Sequence, residues 1–572
     1  MKLSRLALAM AALSLPLAAQ ANQSLTAPGY AGTIGGVSNE GTIHSSSFNP
    51  ASNGILLDET DRFRFGYFSN LGGYVEIGES EDLDTKINDL STDMEDAENM
   101  SDGTSASQHL IDRYGPKSGT TDEQQAKYYE AIVKNANNNL VADLEKGGQF
   151  RTGIQVQAPL TPFLFRTDSA RGVFSLNASA DVQTKIGFLG DQFAVSTKFS
   201  IEDGADLGDL NLNLEKVAAV APTIKNILDD VGKSDEQKVK DVLSIVNNEG
   251  LLEGNEETVE NLANQYGLTL SDYGIATSSA SVSGASSSLD LVEGAAAGDL
   301  VTETSISTDA GIDARVAAVG HFALGYGTRL SDWMNMNTEY GELEIGTRLN
   351  MYAVEAGRTF ISFEAEANSS LNNNDEDEDT FDQAMDDFSE NTEQTVGFGL
   401  DLGFLWHSKN YQAGVTFYNL NEPEFDYPDL SEYLDATALS ALQGLEGSGK
   451  SRVADSVTLT RHAVVEGAVY SSSRNWMLQG SYTLGEATNF VGDEFQTISV
   501  SAGYFPKAWW APGLRAGYSQ NLVGSELSKA HAGLTLFGIL HMDAAVALET
   551  SSFDDTDIPR YASFSMGLEE KF

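Results

Sequence analysis

The pattern that decides the fold lies in "GVFSLNASADVQTKIGFL", residues 172–189. One register of this stretch is apolar and the other is mostly polar; the apolar positions are Phe174, Leu176, Ala178, Ala180, Val182, Ile186 and Phe188. A period of two predicts a β-strand whose faces contact different environments. About 15 residues is far longer than the five or six usual in globular sheets. The pattern therefore favours a strand that separates lipid from a polar lumen.

Similar two-faced segments recur along the chain. In residues 394–406 the apolar side chains from Val396 to Trp406 share one face. Further candidate strands lie at 191–201, 311–327, 341–366, 410–420, 454–470, 475–485, 494–505, 512–522, 529–538, 540–549 and 560–572. Short and long connections alternate, so we predict an all-β transmembrane fold, an outer-membrane antiparallel β-barrel of about 14 to 16 strands. A secreted β-sandwich or β-helix is the alternative, although such folds seldom need so many long two-faced strands.

The first residues predict export. Lys2 and Arg5 precede an apolar run from Leu6 to Ala19, and Ala19-Gln20-Ala21 has the small-x-small form of a signal-peptidase site. We predict a signal peptide over residues 1–21 and localisation in the outer membrane of a Gram-negative bacterium. The alternative, a buried N-terminal helix, is disfavoured because the run is short and has basic residues in front of it.

Composition excludes several classes of function. The 34 basic and 84 acidic residues give a formal net charge of −50, which makes nucleic acid an implausible direct ligand. Cysteine is absent, which excludes disulfides and thiol chemistry. The seven histidines are scattered outside any hydrolase or zinc-protease motif, so we predict neither an enzyme nor a cofactor.

The acidity is concentrated in insertions at 80–150 and 203–299 and in a loop at 367–393. Ile132, Ala136, Leu140 and Leu144 recur four residues apart, which predicts α-helical insertions; partly disordered acidic loops are the alternative. In the loop, four aspartates take positions 1, 3, 5 and 12 of an EF-hand-like segment: Asp375, Asp377, Asp379 and Asp386. Position 6 is Thr380 instead of glycine. A specific calcium site, loose association of divalent cations and a merely solvated loop all remain open.

All five tryptophans lie in or beside the connections 328–340, 407–409, 471–474 and 506–511. Counting strands back from a periplasmic C-terminus predicts that these connections are periplasmic. Because indole side chains anchor at membrane interfaces, we predict an aromatic girdle formed by Trp333, Trp406, Trp476, Trp509 and Trp510.

Residues 31–54, "AGTIGGVSNEGTIHSSSFNPASNG", are rich in small side chains and contain Asn49-Pro50-Ala51. This segment resembles the start of FadL-type outer-membrane transporters. The resemblance implies an N-terminal plug inside the barrel, over residues 22–60, with the barrel itself over 61–572.

A second resemblance spans most of the mature chain. The stretches "RFRFGYFSNLGGYVEIGESEDLDTKINDL" at 62–90, "YQAGVTFYNLNEPEFDYP" at 411–428 and "LRAGYSQNLVGSELSKAHAGLTLFGILHMDAAVAL" at 514–548 are similar to the TraF-like family named after plasmid-transfer operons. This resemblance implies an exported outer-membrane barrel in contact with lipid.

Two functions remain open from the sequence. A channel or transporter for hydrophobic or amphipathic small molecules predicts an apolar lumen pocket beside Asn49-Pro50-Ala51. A structural or envelope-assembly component linked to conjugative plasmid transfer predicts protein partners held by the helical insertions.

Overall fold

The computed structural model describes residues 30–57, 61–79, 83–98, 100, 106–118, 121–167, 171–190, 193–201, 205–206, 300–334, 339–363, 391–506, 508, 510–553 and 556–569. The predicted signal peptide, the aspartates from Asp375 to Asp386, Trp509 and almost all of insertion 203–299 lie outside the described residues.

Fourteen antiparallel strands form a closed barrel in the described part of the chain. Each strand pairs with the next along the chain and β14 pairs with β1, so the barrel wall leaves no free sheet edge. The strands are β1 Leu71–Ile77, β2 Gln149–Gln157, β3 Val173–Leu189, β4 Gly311–Arg329, β5 Glu342–Ser362, β6 Thr392–His407, β7 Tyr411–Tyr418, β8 His462–Tyr470, β9 Trp476–Leu484, β10 Thr497–Tyr504, β11 Gly513–Asn521, β12 Ser528–Leu536, β13 Leu540–Ala547 and β14 Tyr561–Leu568. The predicted antiparallel β-barrel is confirmed, with 14 strands.

The two faces of the wall differ as the alternation predicts. In β6, Val396 is 63% exposed on the outside, whereas Asp401 is 1% exposed in the lumen. In β3 the polar register is buried, including Asn177 and Asp181. Large apolar side chains face outward around the barrel, among them Phe322, Leu324, Leu349, Met351, Phe398, Leu400, Val469, Leu478, Ile498, Val500, Leu514, Val546, Phe564 and Met566. An apolar exterior around a polar interior is the arrangement that lipid requires.

The barrel has two unlike rims. The short-turn rim contains the connections 330–341, 408–410, 471–475, 505–512 and 537–539. The long-loop rim contains the longer connections, and both large insertions connect strands there. From the sequence alone, residues 62–79 fit either one long strand or a short hairpin at Ser69-Asn70, and the choice decides on which side both insertions fall. In the structure Phe63–Phe65 and β1 run in the same direction beside Phe163–Arg166 and β2, so they form one interrupted strand.

Loops of the long-loop rim pack on the lumen face of the wall. Their described elements are the 3₁₀ turn Leu430–Glu432, the helix Ala436–Gly447, and paired short strands Glu424–Asp426 with Ser456–Thr458, Ala487–Thr488 with Glu494–Phe495, and Thr550–Phe553 with Thr556–Pro559. Phe425 and Phe490 from these loops pack in a buried cluster with Tyr352 of β5. Asp435 caps the helix by accepting from the Thr437 and Ala438 amides.

A second compact unit is formed by Asp84–Ala142 and Asp191–Ala310. Its described elements fall within the helices Leu83–Glu98, Gln108–Tyr114, Thr121–Asn135 and Val141–Gly147, a π-helical turn Ala136–Leu140, and the strands Ala194–Ile201, Ala205–Asp206 and Leu300–Ser307. Leu110, Tyr128 and Ile132 form its buried core, which confirms that the first insertion is helical. No helix in the described residues is long and apolar enough to cross a membrane.

Candidate functional site: a plugged lumen with a cavity

The segment 30–57 fills part of the lumen as a plug. It forms only short helices, at Tyr30–Ile34, Ser45–Phe48, Pro50–Ser52 and Asn53–Leu56, separated by turns. From Thr33 onward nearly every residue is buried. Such short elements leave many peptide groups without partners inside the segment, and these groups need partners elsewhere once water is excluded.

Wall side chains provide those partners. Gln479 Nε2 donates to the Ile34 carbonyl at 2.5 Å, and Gln412 Nε2 donates to the Ser38 carbonyl at 2.6 Å. Arg348 Nη1 donates to the Ser46 and Ser47 carbonyls at 3.2 and 2.5 Å. The polar lumen register of the strands is therefore used to hold the plug backbone.

Glu466 of β8 joins two distant parts of the plug. Its buried carboxylate accepts from the Ser38 amide at 2.5 Å, from Ser38 Oγ at 2.8 Å and from Asn49 Nδ2 at 2.9 Å. Hydrogen bonds to a charged acceptor are stronger than neutral ones. This single side chain fixes both the middle of the plug and the start of the Asn49-Pro50-Ala51 motif.

Buried ion pairs in the lumen also contact the plug. Arg515 pairs with Asp543 at 2.8 Å, and Asp543 accepts from Thr33 Oγ1 at 2.6 Å. Glu569 pairs with Arg64 and accepts from the Ile43 amide at 2.7 Å. Each charge has a partner, which buried charges require.

The plug motif lies on a seat of wall glycines. Gly346 of β5 pairs directly with Gly327 of β4 and with Gly403 of β6. A Cβ atom added at Gly346 would lie 2.2 Å from the Pro50 carbonyl carbon, and one added at Gly327 would lie 2.6 Å from the Pro50 oxygen. Only glycine permits this approach of two backbones. Plug and wall are thus in direct contact at the Asn49-Pro50-Ala51 motif.

A cavity lies elsewhere in the lumen, beside the first part of the plug. It has about 1090 Å³ of empty space, part of it open solvent. Gly32, Gly35 and Gly36 of the plug line one side of it. The wall contributes hydroxyl and amide groups at Ser481, Thr483, Thr497, Ser499, Ser519, Asn521 and Ser563, the rings of Tyr74 and Tyr561, and the charged or titratable side chains of Glu76, Arg151, Lys529 and His531.

A charged cluster joins the loop 485–496 to the wall at this cavity. Asp493 of the loop lies 2.8 Å from Arg151 Nε of β2 and 2.9 Å from Lys185 Nζ of β3. Arg151 also pairs with Glu76 at 3.0 Å. Burial alone would raise the pKa of Asp493, but Lys185 and Arg151 hold this pKa below its ordinary value. The loop is therefore fixed over the cavity by its ionised carboxylate.

The sequence did not identify this cluster, because its members are far apart in the chain. Lys185 lies in the polar register of β3, and this register was the available signal that its side chain faces the lumen.

The four described tryptophans of the predicted girdle, Trp333, Trp406, Trp476 and Trp510, lie at the short-turn rim and are exposed. Their role as a membrane-interface girdle stays a prediction.

Solved structures of two transporters are similar to the chain at low sequence identity. The chain is similar to the toluene transporter TbuX of Ralstonia pickettii, with 8% identity, a TM-score of 0.34, and coverage of 96% of this chain and 100% of that chain. It is similar to the toluene transporter TodX of Pseudomonas putida, with 9% identity, a TM-score of 0.33, and coverage of 94% and 96%. No curated protein sequence matches the chain.

The match to one protein family extends over most of the sequence and is not limited to the Asn49-Pro50-Ala51 motif. The family described as "F plasmid transfer operon, TraF, protein" matches residues 47–482, which begin just before the plug motif and end in β9. The match covers more than half of the 572 residues. The chain therefore belongs to this TraF family.

Proposed function

We propose that the protein is an outer-membrane channel for small amphipathic molecules, and that the lumen cavity is where such a molecule is held. The observation that carries the proposal is the cavity between the plug glycines and the loop 485–496. Concave sites of this kind, with a few convergent polar groups, are where proteins bind small molecules.

The lining favours an amphipathic molecule over a purely apolar one. Thr483 and Thr497 offer hydroxyl groups to hydrogen-bond a ligand, whereas Tyr74 and Tyr561 offer ring surfaces to an apolar part. A hydrocarbon without polar atoms would displace water from those polar groups and leave them without partners, which is unfavourable.

The test uses two substitutions on neighbouring positions of β11. Ser519→Trp places a large ring in the cavity, whereas Tyr518→Trp changes an outward side chain of the same strand. The probe is phenyl β-glucoside, which has an aromatic ring and several hydroxyl groups. We expect Ser519→Trp to lower its binding and its entry into proteoliposomes by about tenfold, since a filled pocket loses its ligand contacts.

The matched control decides between a specific cavity and a general effect. Tyr518→Trp should stay within about twofold of the unchanged protein, because the outer face contacts lipid. Equal losses in both variants, or no loss at Ser519→Trp, would contradict a lumen route for this class of molecule. Tighter binding of toluene than of the glucoside would contradict the amphipathic specificity.

A second candidate, a role in assembly of the conjugation apparatus, is favoured by the separately packed helical insertion. Its described helices bury Leu110, Tyr128 and Ile132 in a core of their own. Replacing residues 84–142 by a short glycine-serine linker should then reduce plasmid transfer and leave uptake of phenyl β-glucoside unchanged. Normal transfer after this deletion would contradict the assembly role.

A further inference from the structure

Glu342, Glu344 and His407 converge at the short-turn rim, outside the cavity. Glu342 and Glu344 are two residues apart in β5, and Glu342 pairs directly with His407 of β6. Residues i and i+2 of a strand share a face, and this face is the lumen face. One ligand atom from each residue lies within 4.8 Å of the others.

The distances suit a small metal ion. His407 Nε2 lies 3.4 Å from Glu344 Oε1 and 3.8 Å from Glu342 Oε2. Two ligand atoms at about 2.0–2.1 Å from zinc, at tetrahedral angles, are separated by roughly 3.3–3.4 Å. The three groups therefore need little movement to share one ion, and the donor set of one imidazole and two carboxylates suits divalent first-row transition metals.

Glu344 provides an independent indication that the charge here is incompletely compensated. Its side chain is 0% exposed, and its Oε2 has no hydrogen-bond partner. Arg329 Nε approaches the cluster at 3.0 Å from Glu342 and 3.4 Å from Glu344. One guanidinium faces two carboxylates, so the cluster keeps an excess negative charge. The unpartnered Oε2 lies against Gly54 of the plug, whereas Oε1 is the oxygen that faces His407 and Arg329. A metal ion at the cluster would therefore neutralise the buried carboxylate through Oε1, and it would reach Oε2 only in bidentate coordination.

We propose that Glu342, Glu344 and His407 bind a divalent transition-metal ion at the short-turn rim. The partly exposed side chains of Glu342 and His407 give the ion access from solvent, while Glu344 lies beneath them. Arg329 is the competing cation that occupies the carboxylates when the metal is absent.

The test measures zinc binding to the untagged full-length protein in detergent. We expect one zinc ion per chain, with affinity lowered by about tenfold or more in His407→Ala and in Glu344→Gln, because each variant removes a ligand. Glu355→Gln, on the same strand but outside the cluster, should stay within about twofold. Arg329→Gln should bind zinc more tightly, because it removes the competing charge.

The zinc affinity of Arg329→Gln distinguishes a metal site from a simple ion pair. If the cluster is only an ion pair, loss of the guanidinium will not raise zinc affinity, and neither His407→Ala nor Glu344→Gln will lower it. Heat-modifiable migration in detergent gels checks that each variant forms the barrel. X-ray absorption of the zinc-loaded unchanged protein needs no variant, and a coordination shell without imidazole would overturn the proposal.

Discussion

The two ends of the plug contact the barrel wall in opposite ways. At Asn49-Pro50-Ala51 the wall contributes glycines, Gly327, Gly346 and Gly403, and the plug packs directly against its backbone. Around Gly32–Gly36 the plug contributes the glycines, the wall contributes serine and threonine side chains, and a cavity remains. A glycine in a strand removes the side chain that would hold a plug away from the wall. A hydroxyl side chain in the same register keeps the plug at hydrogen-bonding distance and leaves space beside it.

The plug is attached to the wall at one of its ends, and the lumen keeps free space at the other. The glycine seat gives the plug a fixed position, whereas the hydroxyl-lined part gives the lumen its free volume. If this interpretation is correct, substitutions at the seat should change stability most, and substitutions at the cavity should change it least.

The largest effect is expected from Gly346→Val. Valine is favourable in a strand, but its Cβ would lie 2.2 Å from the Pro50 carbonyl carbon, which is backbone that cannot rotate away. We expect a loss of about 3 kcal/mol in the free energy of unfolding in lipid vesicles, as for overpacked sites. Segment 30–57 should also become accessible to protease.

Gly187→Val of β3 is the matched control for this substitution. A Cβ at Gly187 meets nothing within 4 Å, so valine there should be neutral or slightly stabilising. Similar losses at both glycines would mean that strand propensity and not the plug seat governs the result.

The next effect is expected from Glu466→Ala. The substitution leaves the Ser38 amide and the Asn49 side-chain amide without their charged acceptor. We expect a loss of about 2 kcal/mol in the same unfolding measurement. Glu446→Ala on the exposed face of the loop helix should change the free energy little. A loss at Glu446 equal to that at Glu466 would show that the plug contacts are not responsible.

The alternation of polar and apolar residues predicted the barrel wall better than it predicted which residues meet inside the lumen. The alternation in residues 172–189 placed Asp181 on the buried polar face, as the structure confirms. Lumen contents depend on pairing register: Gly327, Gly346 and Gly403 meet only because three strands align, and no local pattern determines that alignment.

A smaller effect is expected from Asp493→Asn, which loosens the loop over the cavity. Arg151 keeps its pair with Glu76 and Lys185 is partly exposed, so the cost should be about 1 kcal/mol and not that of a fully isolated buried charge. A nitroxide label at Glu494→Cys, in a chain that has no cysteine, reports loop mobility by electron paramagnetic resonance.

The same label gives a pH prediction. Because the pKa of Asp493 is lowered in the folded protein, its contribution is complete above the unfolded aspartate pKa of about 3.9 and is lost as the pH falls through the lower folded value. The label should become mobile on acidification in the unchanged protein and be mobile already at neutral pH in Asp493→Asn. A label that is equally ordered in both proteins at neutral pH would disprove the contact.

The smallest effect is expected from Ser481→Ala at the cavity wall. Ser481 Oγ donates to the Gly35 carbonyl at 2.5 Å, but Ser499 Oγ donates to the same carbonyl at 3.1 Å. Either hydroxyl alone therefore satisfies the plug oxygen, and each single alanine variant should lose only about 0.5 kcal/mol. The double variant leaves that oxygen without these donors, so its loss should exceed the sum of the two single losses. Strict additivity would mean that water replaces the hydroxyls freely, and that the wall serines border the cavity without holding the plug.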